Sequence, residues 1–155
     1  MKVKKVKEFM SRNIVKIGRS TPLRQIARVF MEEKADFLLV VDKEERLVGV
    51  ITQKDILTPF IPEYFDFLDD IDFISDFGSL EDSLPEALEN LILAEDIMVK
   101  EIITVDEDAS LFKTLALIYK HKVRHLPVVK EEKIVGIVTP ADIIRALFGE
   151  ESSSK

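Results

Sequence analysis

The sequence predicts an α+β protein made of two copies of one βαββα unit. Three observations carry this expectation: a segment of roughly fifty residues that occurs twice, the same order of hydrophobic patterns in each copy, and a composition suited to a core-forming chain. At 155 residues, 46% hydrophobic and 33% charged, the chain can form one compact domain, or two small halves that share a core.

The repeat begins near the start. Val6-Lys7-Glu8-Phe9-Met10 resembles Ala94-Glu95-Asp96-Ile97-Met98, an offset of 88 from Met10 to Met98. At that offset Val15 and Ile17 meet Ile103 and Val105, Leu23 meets Leu111, and Lys34 meets Lys122. Leu38, Val40 and Val41 likewise meet Leu126, Val128 and Val129. After a one-residue gap the offset becomes 87, and Leu47-Val48-Gly49-Val50-Ile51-Thr52 lies on Ile134-Val135-Gly136-Ile137-Val138-Thr139. Asp55-Ile56 then lies on Asp142-Ile143.

Within each copy a short extended piece comes first, Val15 to Ile17 and Ile103 to Val105. A helix follows, with Leu23, Ile26, Ala27 and Phe30, or Leu111, Leu115 and Ile118, at amphipathic spacing. Thr21-Pro22 reads as an N-cap and first-turn pair, and Asp108 or Ser110 as the cap of the second helix. Two β-rich runs come next: Phe37 to Val41 then Leu47 to Ile51, and His125 to Val129 then Ile134 to Val138. Their polar connections, Asp42 to Arg46 and Lys130 to Lys133, are short enough for hairpins. A last helix begins near Asp55 or Asp142, and sheet and helices share one core.

Composition excludes several functions. The chain has no cysteine, so disulfides, thiolate nucleophiles and zinc ribbons are ruled out, and the cytoplasm is the expected compartment. A net charge of −7 argues against nucleic acid as a main partner. The longest apolar runs, such as Phe37-Leu38-Leu39-Val40-Val41, are too short to span a bilayer, so no membrane partner is expected. Glu8 and Arg12 interrupt any signal-peptide core behind the basic start. His121 and His125 are four residues apart, but across a helix-to-strand junction, so no metal site is expected. No Ser/His/Asp set has supporting context, and the chain is not expected to be an enzyme.

The run Leu126-Pro127-Val128-Val129, followed by Ile134 to Ile144, resembles the second half of a CBS (cystathionine-beta-synthase) repeat. Leu47 to Leu57 matches it in the first copy, and the opening Asp-Ile-Met is similar to that family too. The resemblance implies a pseudo-twofold pair of units packed sheet to sheet, a flat dimeric disc, and clefts that bind adenine nucleotides. It divides the chain into a first repeat (1–57), an acidic helical insert (58–93), a second repeat (94–149) and a disordered tail (150–155). The implied function is a regulatory sensor of AMP, ADP, ATP or S-adenosylmethionine, with no catalytic cofactor, that forms a homodimer and acts on a regulated protein. The alternative is a structural or dimerisation module with empty clefts or a non-nucleotide ligand.

Thr52-Gln53-Lys54-Asp55 and Thr139-Pro140-Ala141-Asp142 share one form: a strand ends in a hydroxyl, and a carboxylate follows at a helix start. Such a carboxylate can accept from ribose hydroxyls, while the hydroxyl and free helix N–H groups can hold phosphate. The same spacing is a capping box, which stabilises a helix without any ligand, and the two roles are compatible. In similar CBS pairs the aligned Asp binds ribose and the aligned Thr contacts ribose or phosphate.

The copies differ where Arg124-His125 faces the aligned Asp36-Phe37. In related pairs, basic residues here reach phosphates in the cleft whose ribose-binding Asp comes from the other repeat. The resemblance therefore groups Thr52, Asp55, Arg124 and His125 with Ile102, Ile103 and Thr104 as one cleft. It groups Thr139 and Asp142 with Asp36, Ile14, Val15 and Lys16 as the other. Arg124 and His125 could instead sit on an exposed strand end or pair with nearby acids.

Between the copies, no Lys or Arg occurs from Thr58 to Val99. Phe60, Tyr64, Phe67, Leu68, Ile71 and Ile74 alternate with aspartates in the pattern of an acidic amphipathic helix, with Gly78 as its expected end. Ser83, Pro85 and Glu86 suggest a second helix start. The insert reads as a helical cover, or as a docking surface for a basic partner or a divalent cation; it lacks the spacing of a calcium loop.

Overall fold

The computed structural model describes residues 4–61 and 88–149. A short helix α1 (Val6–Phe9) precedes β1 (Lys16–Gly18), α2 (Leu23–Glu33), β2 (Phe37–Val41), β3 (Leu47–Thr52) and α3 (Gln53–Leu57). A 3-10 turn (Thr58–Phe60) ends this half. After α4 (Leu88–Leu91) the order recurs: α5 (Ala94–Ile97), β4 (Val105–Asp106), α6 (Leu111–His121), β5 (Leu126–Lys130), β6 (Lys133–Val138) and α7 (Pro140–Phe148). Each copy thus has the expected βαββα order, preceded by one extra helical turn.

Each half makes one three-stranded sheet, β1-β2-β3 and β4-β5-β6. The first pair in each is parallel and the second antiparallel. Even the register irregularity recurs, at Val40/Val41 and at Val128/Val129. Lys34 and Lys122, matched in the repeat, both leave their helices with a positive φ, 52° and 54°.

All five residues of β2 are buried, because both faces of that strand are covered. Side chains alternate across a strand. Leu38 and Val40 therefore join Ile17, Ile26, Phe30 and Ile51 in a core beneath α2, while Phe37, Leu39 and Val41 point the other way. There they meet Ile134 and Ile137 of β6, with Ile14, Leu47 and Val50 at the margin. This third core joins the two sheets face to face.

The leading helices are exchanged. The Val6 and Lys7 N–H groups donate to Ala109 and Glu107 carbonyls at 2.9 and 3.0 Å. Val6 and Met10 are buried among Val105, Leu111, Leu126, Val128, Val138 and Ile143 of the second half. In mirror fashion the Ala94 N–H donates to Thr21 O at 2.8 Å, and Ala94 joins the core of the first half. Each turn then adds a backbone rung to the last strand of the other half: Ser11 to Ile137, and Val99 to Val50. Gly136 and Gly49 make these crossings possible. A Cβ on Gly49 would lie 2.4 Å from Met98 Sδ, and one on Gly136 would lie 2.6 Å from Met10 Sδ.

Two capping expectations resolve differently. Ser110 Oγ accepts from the Lys113 N–H at 3.1 Å and caps α6. At α2, Pro22 itself takes the N-cap position, the Thr21 carbonyl is used by Ala94, and the Leu23 N–H donates to Ile92 O at 2.7 Å. The expected Thr21 cap is therefore replaced by backbone from the segment after α4. That helix lies on α2 through an ion pair between Arg24 and Glu89. The predicted helices within residues 62–87 and the predicted tail 150–155 lie outside the described residues. Among the described residues, no helix is long and apolar enough to cross a membrane.

Candidate functional site

Where β3 meets α3, Asp55 turns back on the strand end. Its Oδ2 accepts from the Thr52 N–H at 2.8 Å and from the Thr52 hydroxyl at 3.1 Å. The second copy repeats this between Asp142 Oδ2 and Thr139, at 2.9 and 3.1 Å. Both Thr-x-x-Asp motifs thus cap their helices. Capping engages one carboxylate oxygen and leaves the other to its surroundings.

The pseudo-twofold packing forms two clefts beside these caps. The first, of about 460 Å³, is lined by Thr52, Gln53 and Lys54 from one half and by Ile102, Ile103, Arg124, His125 and Pro127 from the other. That volume falls within the roughly 300–1,000 Å³ usual for small-molecule clefts. Half-buried Ile102 and Ile103 offer an apolar surface, and exposed Arg124 offers a cation. Among the described residues, Arg124 makes no ion pair. Asp55 stands half-buried behind Thr52 and is not part of the cleft wall, and exposed Thr104 lies outside it.

The second cleft, of about 380 Å³, gathers Thr139, Asp142, Asp36 and Val15, with Glu33, Lys34, His125 and Arg145. Lys16 is absent from it. Its ammonium points across β1 to Glu45 Oε1 at 2.8 Å, and Ile14 packs between the sheets. Lys16 instead lines a larger hollow of about 710 Å³ at the sheet edge, with Arg19, Asp42, Glu45 and Glu95. Lys16–Glu45 and Arg19–Glu95 already pair there and Asp42 holds Arg46, which leaves Lys43 as the charged lining residue without an ion pair among the described residues.

His125 and Asp36 stand on the wall between the two clefts. His125 Nε2 lies 3.4 Å from Asp36 Oδ1, and its ring stacks on Phe37. Pairing with a nearby acid, one of the readings open from sequence, therefore holds for His125 but not for Arg124. Sequence reasoning missed Lys54, Phe37 and Arg145 as cleft residues. Lys54 lies inside the Thr52–Asp55 motif, and Arg145 follows Asp142 by one helical turn, so both were within reach of the motif's spacing.

The geometry has close counterparts. An uncharacterized protein of Methanocaldococcus jannaschii is 28% identical over 153 residues, spanning 92% of this chain and 90% of the relative. The solved structure of CBSX2 in complex with AMP is similar at a TM-score of 0.67 and 24% identity, over 92% of this chain and 95% of that one. The CBS domain pair of protein MJ0100, solved with 5′-methylthioadenosine and S-adenosyl-L-methionine, gives a TM-score of 0.68 at 23% identity, over 96% and 98% of the two chains. The CBS domain family model matches residues 6–60 and again residues 94–149. With both copies of its repeat covered, the chain belongs to the CBS domain family.

Proposed function

We propose that this protein is a regulatory module that senses an adenine nucleotide in the first cleft and transmits its occupancy to a partner protein. One observation carries the reading: a single cleft brings Thr52 of one repeat to Arg124, His125, Ile102 and Ile103 of the other. In this reading Ile102 and Ile103 hold the base, the oxygen of Asp55 that Thr52 does not engage accepts from the ribose, and Arg124 binds phosphate. The guanidinium suits phosphate because its planar fork makes paired, charge-assisted bonds. AMP in the similar CBSX2 structure, and adenosyl ligands in that of MJ0100, support an adenosine-based ligand over other classes.

The test is titration with AMP and with adenosine. Arg124→Ala weakens AMP about ten- to a hundredfold, the value of one charge-assisted bond of roughly 1.5–3 kcal/mol, and leaves adenosine nearly unchanged. Added salt erodes the difference. Equal loss of both ligands would sink the phosphate assignment.

Assembly is a second reading with its own support. Phe112, Leu115 and Tyr119 on α6, and Ile144, Leu147 and Phe148 on α7, are exposed at helical spacing. A symmetric homodimer through these helices would cover them. Light scattering at micromolar concentration is the check, and a monomeric mass counts against it.

A further inference from the structure

The motif carboxylates beside the two clefts differ in what holds them. Asp55 is half-buried, its Oδ2 is held by Thr52, and among the described residues its Oδ1 has no partner. Asp142 is only 3% exposed, and both of its oxygens are engaged: Oδ2 by Thr139, Oδ1 by the guanidinium of Arg145. At the repeat offset of 87, the position of Arg145 in the first copy is Thr58, whose hydroxyl turns back to the Lys54 carbonyl at 3.1 Å. One helix position, three residues after the motif aspartate, thus separates a carboxylate with a spare oxygen from one without.

We propose that Arg145 occupies the sugar-binding carboxylate of the second cleft and limits the protein to one adenosyl ligand per chain. The inference rests on the reading of the clefts given above and extends it. A ribose diol entering the second cleft must displace a charge-assisted contact from a buried carboxylate and replace it with neutral hydrogen bonds, which are weaker. The exchange costs about tenfold or more in affinity. Asp36 borders both clefts, with Glu101 in the first and Glu33 in the second, so their acidic residues do not separate the two clefts. Adenosine, which carries no phosphate, isolates the effect of Arg145.

Equilibrium dialysis with labelled adenosine on four proteins tests this. The wild type should bind one equivalent, Asp55→Ala none, Arg145→Met two, and the double variant one. The Arg145 side chain is 70% exposed, so its replacement leaves the core intact. Asp55 also caps α3, so thermal melting accompanies each variant; should Asp55→Ala fail to fold, the wild type against Arg145→Met decides alone. Two equivalents on the wild type, or one on Arg145→Met, overturn the inference while leaving the first cleft as proposed. Loss of adenosine on Arg145→Met also overturns it, because Arg145 would then be part of a working site. No adenosine on any of the four overturns the reading of both clefts and this inference with it.

Discussion

The ring of Phe37 lies on the ring of His125, with centroids 4.6 Å apart and planes 7° from parallel. The two residues are 88 positions apart and so hold the same place in the two repeats. The local twofold axis therefore passes between a hydrocarbon ring and a polar one. From this shared position His125 borders both clefts and reaches Asp36.

Packing and binding at this pair can be separated by mutation. Phe37 is buried, and Phe37→Ala should cost about 3 kcal/mol or more in urea denaturation. His125→Phe keeps an aromatic ring in the stack, so it should stay within about 1.5 kcal/mol of the wild type while weakening AMP. A His125→Phe protein as unstable as Phe37→Ala would show that the contact of His125 with Asp36 is structural.

The two crossing glycines should respond unequally. Gly49→Ala and Gly136→Ala should each cost about 1–3 kcal/mol by overpacking. At Gly49 the three nearest atoms are all in the Met98 side chain, so Met98→Ala should recover much of the loss. At Gly136 the added methyl also meets the Ser11 carbonyl at 2.8 Å, and Met10→Ala should recover less. Double-mutant cycles measured by denaturant melts decide this; equal rescue at both sites would count against the packing described.

The exchanged helix α1 should loosen in acid. The hydrogen bond from Lys7, with the charges of Lys7 and Lys5 beside it, holds the Asp108 carboxyl below its usual value. The Lys7 ammonium is raised by the same contact. A lowered carboxylate stabilises the fold above the ordinary value of about 3.9 and loses that contribution as pH falls through the lowered one. The raised lysine loses its contribution only as pH rises through its own higher value. The melting gap between wild type and Asp108→Asn should be small at neutral pH, screened by salt, and absent at about pH 2. A gap that persists in acid would mean that Asp108 acts other than by its charge.

The β5–β6 hairpin is strained at its tip. Glu131 and Glu132 carry φ of 51° and 69°, the backbone of a type I′ turn without the residues that favour it. Replacing the pair by Asn-Gly should stabilise the protein by about 1–2 kcal/mol and raise Tm by roughly 2–4 °C or more. No rise in a thermal scan would argue against that turn geometry.

Much of the fold was legible in the sequence, since repetition multiplies weak signals. Paired runs such as Leu47 to Thr52 and Ile134 to Thr139 gave strands, hairpins and both caps at the Thr-x-x-Asp motifs. The exchange of leading helices was not legible. Val6 and Met10 show an apolar face but carry nothing that names the half receiving it. The direction of Lys16 was also missed, because a lysine at a strand edge chooses among acids by geometry, and Glu45 lies across the hairpin. The stack of Phe37 on His125 follows only once the sheets face each other.

The exchanged helix α1 also sets a schedule for synthesis. Lys4 reaches the Ala146 carbonyl, 142 residues further along, and Ser11 pairs with Ile137. On a ribosome adding about 5–20 residues per second, the first segment waits on the order of ten seconds for its place to exist. Val6 and Met10, both destined for burial against the second half, spend that interval without their partners, so the nascent chain carries two uncovered apolar side chains until its last strand and helix emerge.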